Sequence, residues 1–354
     1  MPDALTASVA KERSFGKVMD QCCGDLKGAL IEPKAFDSIK KHAEHFPLSL
    51  SRFWCFEIPL NQQEKTADFL FCISDADQFS AYFLDIWPAK LLNESPEVSF
   101  LPGILDFSVA WGETKTPLWK NVINIWFEYD YPGIDKASLK PNFFYAPAKG
   151  VHPFATICMS EKVLETISGK PVPKETLAHL LHCLKEVPFG GWVSQIGIMF
   201  ARGEDTLRAF IQQIPVNDIK PYLDKIVYRY ASDEQFNKLL EQCYLLADQV
   251  DLDIDISSVT GDSIGLECSF NEMQYSLDFL FYLFSNGLCI EEKYRALDAL
   301  LRNLSIVAGK ELQPFLSHFK IVYHPCKPLK TKVYIGYAGK TSASKIIRTK
   351  PFNH

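Results

Sequence analysis

The strongest constraint in this sequence is a pattern of paired alternating segments that recurs five times along the 354 residues. Within each segment apolar and polar side chains alternate, which is typical of a β-strand with two different faces. A short polar stretch such as SVTGD or CKPLK separates the two members of a pair, so each pair predicts a β-hairpin. The hairpins begin at residues 52, 122, 194, 251 and 317, which spaces them rather evenly along the chain.

Segments with helical periodicity lie before and between the hairpins. Ser160 is the predicted N-cap of the third segment, which the prolines of the following PVP triplet divide in two. Asn286-Gly287 predicts a helix end inside the fifth segment. The five segments cover residues 24–45, 76–92, 160–187, 219–248 and 273–308.

This alternation of helices and hairpins excludes the common layered folds. A doubly wound parallel sheet has single strands between its helices, and an immunoglobulin-like sandwich has no helices between its hairpins. Closing the sheet into a barrel removes the exposed strand edges that promote aggregation. We therefore predict an α+β fold, in which five ααββ-type repeats form a ten-stranded antiparallel β-barrel with the helices outside.

Each predicted strand has two distinct faces. One face is aliphatic or aromatic, and we expect it to pack against the helices. The other face carries eight carboxylates and five basic side chains, which suits a wet lumen that holds a ligand, because bare burial of an ion is costly. Periodicity leaves open a sheet whose polar face lies in bulk water, but Trp126, Phe210 and Tyr334 on that face favour an enclosed site. In the fourth strand, PNFFYAPA, the alternation does not show which side chains face the lumen.

The last strand contains Lys332-Val333-Tyr334-Ile335. With the order of elements, this segment resembles the aromatic prenyltransferase (ABBA, or PT-barrel) superfamily, which uses a Lys-x-Tyr strand pattern to hold diphosphate. Members of that family transfer a prenyl group from a diphosphate donor to an aromatic or peptide acceptor inside the barrel. We therefore predict a single PT-barrel domain over residues 24–338, with an N-terminal arm at 1–23 and a C-terminal tail at 339–354.

The resemblance implies roles for individual residues. Glu57, on the first strand, is the candidate that orients or deprotonates the acceptor, since a carboxylate in a partly apolar cavity can act as a base near neutrality. The candidate diphosphate ligands are Arg208, Lys320, Lys332 and Tyr334. The candidate substrate-binding residues are Trp126, Glu128, Met199, Phe210, Asp253, Glu267 and His318. Aromatic walls also suit this chemistry, because a ring face stabilises a passing cation.

The sequence departs from the family at the diphosphate site. The family places Arg, Lys and Tyr on strands four, six, eight and ten, because the leaving diphosphate carries about three negative charges. Here the fourth strand offers no cation, Phe210 follows Arg208 on the sixth, and the eighth offers Glu267 and Ser269. Few cations and many acids make a poor diphosphate pocket unless Mg²⁺ bridges them.

Three aspartates on one strand face are the candidate ligands for that ion. Asp251, Asp253 and Asp255 lie about 7 Å apart if the strand rises ~3.3 Å per residue. Carboxylate oxygens are the ligands that Mg²⁺ prefers. The same acids would equally bind a cationic substrate or protonate an alkene. The prediction therefore requires no cofactor and keeps Mg²⁺ as an optional one.

Composition excludes several other classes of protein. The net charge of −6 argues against a non-specific nucleic-acid binder. No apolar run approaches the ~20 residues of a membrane span, and the first residues lack a secretory signal. The ten cysteines show neither CxxC pairs nor zinc-ligand spacing, which predicts reduced thiols and a cytoplasmic location. Motifs typical of P-loop, Rossmann and serine-hydrolase sites are missing from the sequence.

We therefore predict a prenyltransferase-like enzyme of natural product biosynthesis. Its substrates are an allylic diphosphate and an aromatic or otherwise nucleophilic small molecule or peptide. One alternative is a barrel that has lost diphosphate chemistry and uses the lumen acids for cyclisation or isomerisation. A second alternative is a non-catalytic barrel that binds a small molecule, because a fold alone does not decide among these functions.

Overall fold

The structure is a computed structural model that describes residues 13–51, 53–74, 79, 82–86, 101–135, 141–200, 206–304 and 312–339. The strands are β1 Phe53–Pro59, β2 Asp68–Ile73, β3 Val122–Tyr129, β4 Asn142–Pro147, β5 Trp192–Ile198, β6 Leu207–Gln212, β7 Gln249–Ile256, β8 Thr260–Ser269, β9 Leu312–Tyr323 and β10 Lys330–Gly339. The predicted turn at residues 202–205 lies outside the described residues.

The ten strands form a closed barrel in the order β1-β10-β9-β8-β7-β6-β5-β4-β3-β2. Every neighbouring pair is antiparallel, and each predicted hairpin joins two strands that are adjacent in the barrel. Closure comes from β1 and β10, where Phe53 lies opposite Ala338 and Glu57 opposite Tyr334. The predicted barrel is therefore confirmed, and the open sheet that periodicity left open is wrong.

Helices lie before and between the hairpins. The α-helices of the described residues are α1 Phe15–Cys22, α2 Pro33–Ala43, α3 Leu101–Gly112, α4 Pro117–Asn121, α5 Pro153–Ser168, α6 Lys174–Glu186, α7 Val216–Lys225, α8 Glu234–Leu246, α9 Met273–Ser285 and α10 Glu291–Leu304. Each hairpin thus follows a pair of α-helices, as the ααββ repeat predicts. None of the described helices combines the length and the apolar character that crossing a bilayer requires.

Two helix ends test the predicted boundaries. The break at Asn286-Gly287 is confirmed, because α9 ends at Ser285 and Gly287 has a φ of +69°. Ser160 as an N-cap is wrong. Helix α5 begins two turns earlier at Pro153, whose fixed φ suits the first helical position, and the Ser160 hydroxyl donates to the carbonyl of Thr156 at 2.7 Å. The predicted helix at 76–92 lies mostly outside the described residues, which within it are Phe79, in helical conformation, and a π-helical turn at Tyr82–Ile86.

The main hydrophobic core lies between the barrel and the helices. Apolar side chains of the outer strand faces, such as Phe56, Ile254 and Ile321, are fully buried there. Strand β4 follows the same rule, because Tyr145 joins this core while Phe144 faces the lumen. The alternation of the third strand places Ile123 on this apolar face with Ile125 and Phe127, but Ile123 is 51% exposed because the pairing of β3 with β4 is irregular between Val122 and Asn124.

A buried lysine ties helix α10 to the first hairpin. The Lys293 ammonium donates to the carbonyl oxygens of Pro59 and Glu64, both at 2.7 Å, and burial lowers its pKa to about 8. We expect Lys293→Met to lower the free energy of unfolding by about 2–3 kcal/mol, because two carbonyl groups lose a charged donor. Urea denaturation measures this loss. The matched control, Lys238→Met on exposed helix α8, should cost less than about 0.5 kcal/mol, and equal losses would contradict the prediction.

His42 gives the fold a specific pH dependence. Its ring lies 4.3 Å from that of Tyr129, and burial followed by the repulsion of His45 lowers its pKa to about 3. Below the ordinary pKa of 6.5 the unfolded chain therefore binds a proton that the folded chain does not, so stability falls as pH falls. Between pH 6.5 and pH 5 this difference amounts to about 2 kcal/mol.

The measurement compares urea denaturation of the wild type and of His42→Leu at pH 7 and pH 5. Other groups titrate in both proteins, so only the difference between them reports on His42. We expect the wild type to lose about 2 kcal/mol more than the variant over this range. His152→Asn, which changes an exposed N-cap histidine, should keep the wild-type dependence. Parallel curves for the wild type and His42→Leu would show that His42 is protonated in the folded protein.

Candidate functional site

A cavity of about 500 Å³ lies inside the barrel, and all ten strands contribute to its wall. Of the predicted site residues, those that line it are Glu57, Trp126, Glu128, Arg208, Phe210, Asp251, Glu267, His318, Lys320 and Tyr334. Lys332, Asp253 and Asp255 are joined to this set by ion pairs. Met199 is buried just beyond the end of β5 but does not line the cavity. The structure thus brings nearly all of the predicted residues together.

Glu57 is held by the Lys-x-Tyr pattern of the last strand. The Lys332 ammonium donates to Oε1 of Glu57 and the Tyr334 hydroxyl donates to Oε2. Burial, and then the negative charge of Glu57, raises the pKa of Tyr334 well above its ordinary value, so this hydroxyl stays a donor. The side chains predicted to face diphosphate therefore fix the carboxylate of Glu57 in the cavity wall.

His318 joins this group from the neighbouring strand. Its ring stacks on the ring of Tyr334 with centroids 4.1 Å apart and 23° between the planes. Its Nε2 atom lies 3.8 Å from Oε1 of Glu267, and its Nδ1 atom lies 3.0 Å from the hydroxyl of Ser317. A chain of contacts thus runs from Glu57 through Tyr334 and His318 to Glu267.

A second ion network lies on strands β6 to β9. The Lys320 ammonium pairs with Oδ2 of Asp253 and lies 3.2 Å from Oε1 of Glu267. Nε of Arg208 lies 2.8 Å from Oδ1 of Asp255 and 3.3 Å from Oδ1 of Asp253. Two cations therefore serve three carboxylates in a site where Lys320 and Asp253 are each about 95% buried.

The pKa values of the two carboxyl groups that share Lys320 are shifted in opposite directions. Burial acts to raise the pKa of Asp253, but Arg208 and Lys320 outweigh it and lower that pKa below its ordinary value. Burial raises the pKa of Glu267, and Lys320 offsets this only in part. Opposite shifts of neighbouring acids are typical of sites that divide proton donation from proton acceptance.

The three aspartates predicted to hold Mg²⁺ are engaged in other contacts. Asp253 and Asp255 pair with Arg208. Asp251 accepts from the side-chain amide of Gln249 at 2.6 and 2.8 Å and from the backbone N–H of Gln213 at 2.9 Å. These contacts do not favour a metal site at the three aspartates, and dependence on Mg²⁺ stays a prediction.

A different set of acids comes together beside Glu57. Among the described residues, carboxylate oxygens of Asp68, Glu128 and Asp130 lie within 4.8 Å of one another. The side-chain amide of Asn142 donates to Glu128 at 3.3 Å and to Asp130 at 3.1 Å. Burial and the neighbouring acids raise the pKa of Asp68 well above its ordinary value. This shift favours the protonated form of Asp68, which reduces the net charge of the cluster.

Aromatic rings cover much of the rest of the wall. Phe53 meets Trp126 edge to face at 5.0 Å, and Phe144 meets Phe210 in the same way at 5.6 Å. Gly197 makes room for Phe144, since a Cβ atom at residue 197 would lie only 2.1 Å from that ring. The Lys320 ammonium lies 5.1 Å from the centre of the Phe210 ring. A cation formed in this cavity would therefore face aromatic rings from two sides.

The strand pattern missed the residues at the end of the cavity where β5 and β7 begin. Lys149 and Gln213 follow the ends of β4 and β6, where alternation no longer indicates direction. Trp192 stands at the start of β5, and Lys149 lies 5.4 Å from its ring centre. Within the described parts of the chain, Lys149 differs from Lys320 and Arg208 of the cavity wall in having no carboxylate within ion-pair distance.

Comparison with solved structures identifies the architecture. The prenyltransferase PriB in its apo form superposes with a TM-score of 0.55 at 11% sequence identity, covering 92% of this chain and 96% of PriB. The chain has the PT-barrel fold of the aromatic prenyltransferases. AnaPT from Neosartorya fischeri gives a TM-score of 0.51 at 9% identity, with 95% of each chain covered.

A second PriB structure contains a bound ligand. PriB in complex with product diphosphate superposes with a TM-score of 0.50 at 11% identity, covering 90% of this chain and 95% of PriB. No protein family's sequence profile matches the chain, and no curated protein matches it significantly. The similarity to PT barrels is therefore one of fold. At this sequence identity, only the residues of the lumen can indicate the chemistry.

Proposed function

We propose that this protein is a prenyltransferase-like enzyme that joins the prenyl group of an allylic diphosphate to an aromatic or other nucleophilic acceptor in the lumen. One observation carries the proposal. A closed PT barrel encloses an aromatic-walled cavity in which the carboxylate of Glu57 is fixed by Lys332 and Tyr334. The solved PriB complex with product diphosphate, which has the same fold, supports diphosphate as the leaving group.

The chemistry assigned to Glu57 is the removal of a proton from the acceptor. When the acceptor attacks the allylic cation, it must lose a proton, and a fixed carboxylate within reach can accept it. Because Lys332 and Tyr334 already orient Glu57, little reorganisation accompanies the transfer. The rings of Trp126, Phe144 and Phe210 would shield the cation from water until the acceptor attacks.

The pairing of the lumen cations with carboxylates is also compatible with two functions that need no diphosphate. Arg208, Lys320 and Lys332 each already share their charge with a carboxylate, so a diphosphate would compete with buried acids for all three. A cyclase or isomerase that needs no diphosphate would use the same acids to donate and accept protons. A barrel that binds a small molecule without turning it over would also keep this wall.

Dimethylallyl diphosphate, the simplest allylic donor, separates these functions. The experiment measures the melting temperature and the release of diphosphate in the presence of a panel of indoles and phenols, each with and without Mg²⁺. Prenyl transfer predicts donor-dependent stabilisation, diphosphate release and an alkylated acceptor detected by mass spectrometry. Arg208→Met, which removes a cation from the ion network, should weaken the stabilisation by the donor.

The remaining outcomes decide among the alternatives. If the donor at millimolar concentration neither raises the melting temperature nor releases diphosphate, prenyl transfer is rejected. Turnover of an isoprenoid without diphosphate release would favour the cyclase or isomerase. Saturable binding of an aromatic compound with no product at all would favour the binding protein. The Mg²⁺ series tests the optional cofactor directly, because release that is unchanged by chelation with EDTA would reject a bridging metal.

A further inference from the structure

The cavity wall is short of positive charge where a leaving diphosphate would need it. In the network on β6 to β9, Arg208 and Lys320 face the carboxylates of Asp253, Asp255 and Glu267. On β1 and β10, the charge of Lys332 is taken by Glu57. Lys149, at the end of the cavity, has no carboxylate within ion-pair distance among the described residues and would neutralise part of the charge that develops on a leaving diphosphate. A proton delivered to the leaving oxygen would neutralise more of it.

Glu267 is the acid best placed to supply that proton. It lies on the cavity wall near the end of β8. Among the described residues, the basic groups within ion-pair distance of its carboxyl group are the His318 ring at 3.8 Å and one permanent cation, Lys320, at 3.2 Å. That cation is shared with Asp253, which also has Arg208. Because two cations cannot fully neutralise three carboxylates, the protonated form is favoured at Glu267, which is more buried than Asp255 and shares its lysine with Asp253.

We propose, on the basis of the function proposed above, that Glu267 is the general acid of the lumen and protonates the leaving oxygen of the allylic donor. The Glu267 O–H proton moves to the oxygen that bridges carbon and phosphorus. The electron pair of the breaking carbon–oxygen bond stays on that oxygen, which leaves as protonated diphosphate, and an allylic cation remains. The acceptor then attacks the cation and gives its proton to Glu57, so the overall reaction moves one proton from acceptor to diphosphate.

The surroundings of Glu267 fit this role. Burial raises its pKa, so it carries a proton at a pH where an exposed glutamate would not. The groups that face it are Asp251 and Asp253 on β7, His318 and Lys320 on β9, Tyr334 on β10 and Glu57 on β1. His318 lines the cavity with Nε2 at 3.8 Å from Glu267, so it is the group through which Glu267 would regain a proton between turnovers.

The first test needs no substrate. Protein labelled with ¹³C at the glutamate side-chain carboxyl is titrated by NMR from pH 4 to pH 9, and the Glu267 signal is assigned by its loss in Glu267→Asp and in Glu267→Gln. We expect this signal to titrate at higher pH than that of an exposed glutamate. In Asp253→Asn, Lys320 has one carboxylate partner fewer, so the midpoint should move down. A Glu267 midpoint in or below the ordinary range of glutamate would overturn the proposal.

The second test uses dimethylallyl diphosphate and measures the rate of diphosphate release. We expect Glu267→Gln to reduce kcat at least 100-fold, while the KM of the donor changes little. Glu267→Asp should keep part of the activity and retain the fall in rate at alkaline pH. Full activity in Glu267→Gln, or a loss confined to KM, would show a binding role instead.

The two tests together separate this proposal from the one on which it rests. If the wild type releases diphosphate while the NMR titration shows Glu267 to be ionised, Glu267 is not the general acid, but the proposed prenyl transfer stands. A protonated Glu267 in a wild type that releases no diphosphate would reject both the prenyl-transfer function and the protonation of a leaving oxygen.

Discussion

Replacing Lys320 with methionine is expected to lower the free energy of unfolding by about 3–5 kcal/mol at pH 7. Lys320 is 4% exposed and lies between Asp253 and Glu267. Methionine fills a similar volume but leaves both carboxylates without their shared cation. The loss arises because a buried carboxylate that loses its partner keeps its desolvation penalty, whereas the attraction that offset it is gone.

This loss should depend on pH in a defined direction. Burial acts to lower the pKa of Lys320, but Asp253 and Glu267 outweigh it and raise that pKa, so the wild-type lysine is charged throughout the neutral range. In the variant, the two acids should bind protons more tightly in the folded state than in the unfolded state. The folded state then gains stability as pH falls, so the penalty measured by urea denaturation should shrink between pH 7 and pH 5.

A matched set of variants isolates the charge from the packing. Asp253→Asn combined with Lys320→Met removes the uncompensated charge of Asp253 and should recover part of the loss, provided that Arg208 keeps Asp255. Glu267→Gln should recover less, because a protonated Glu267 carries no charge to remove. Lys238→Met on the exposed face of α8 controls for the loss of a lysine as such. A penalty below about 1 kcal/mol for Lys320→Met at pH 7 would mean that water solvates this network.

The fold was predictable from sequence because a barrel imposes period two on every strand. A slip of one residue would bring Phe56 and Ile58 into the lumen and move Glu57 into the apolar core, so the hydrophobic pattern fixes which face is inside. The same rule fails at irregular positions. Ile123 is exposed where the pairing of β3 and β4 shifts, and that shift leaves no mark in the alternation of side chains.

The partners of the lumen charges were not predictable, because they depend on distances across strands. Lys320 on β9 reaches Asp253 on β7, past the intervening strand β8. This reach requires Gly265, since a Cβ atom there would lie 2.8 Å from Cε of Lys320 and 2.9 Å from Cβ of Asp253. In the sequence, Gly265 is one small residue in an alternating strand. The resemblance to prenyltransferases assigned Lys320 and Lys332 to diphosphate, whereas their partners in this structure are acids of the lumen.

Replacing Glu57 with glutamine is expected to reduce formation of the alkylated acceptor by about 10²–10⁴-fold, which is the usual contribution of a positioned acid or base. Glutamine keeps the shape of the side chain, and its single oxygen can accept from Lys332 or from Tyr334, but it cannot take a proton from the acceptor. The assay measures alkylated acceptor and diphosphate release in parallel. Formation of product should fall more than ionisation of the donor, because ionisation precedes the step in which Glu57 takes part.

The ratio of alkylated acceptor to released diphosphate distinguishes a catalytic base from a residue that only stabilises the structure of the lumen. If the allylic cation forms but the acceptor cannot lose its proton, water should capture part of it, so Glu57→Gln should release diphosphate with little alkylated product. Glu57→Asp keeps a carboxylate at a greater distance and should retain a fraction of the coupling. Glu128→Gln is the matched control, because Glu128 is 5% exposed and lines the same cavity but accepts from Asn142 instead of Lys332 and Tyr334. If Glu128→Gln and Glu57→Gln release diphosphate without alkylated product to the same extent, the proton is accepted by the acidic wall as a whole and not by Glu57. A specific base would be sensitive to the loss of one particular carboxylate, the one that faces the acceptor.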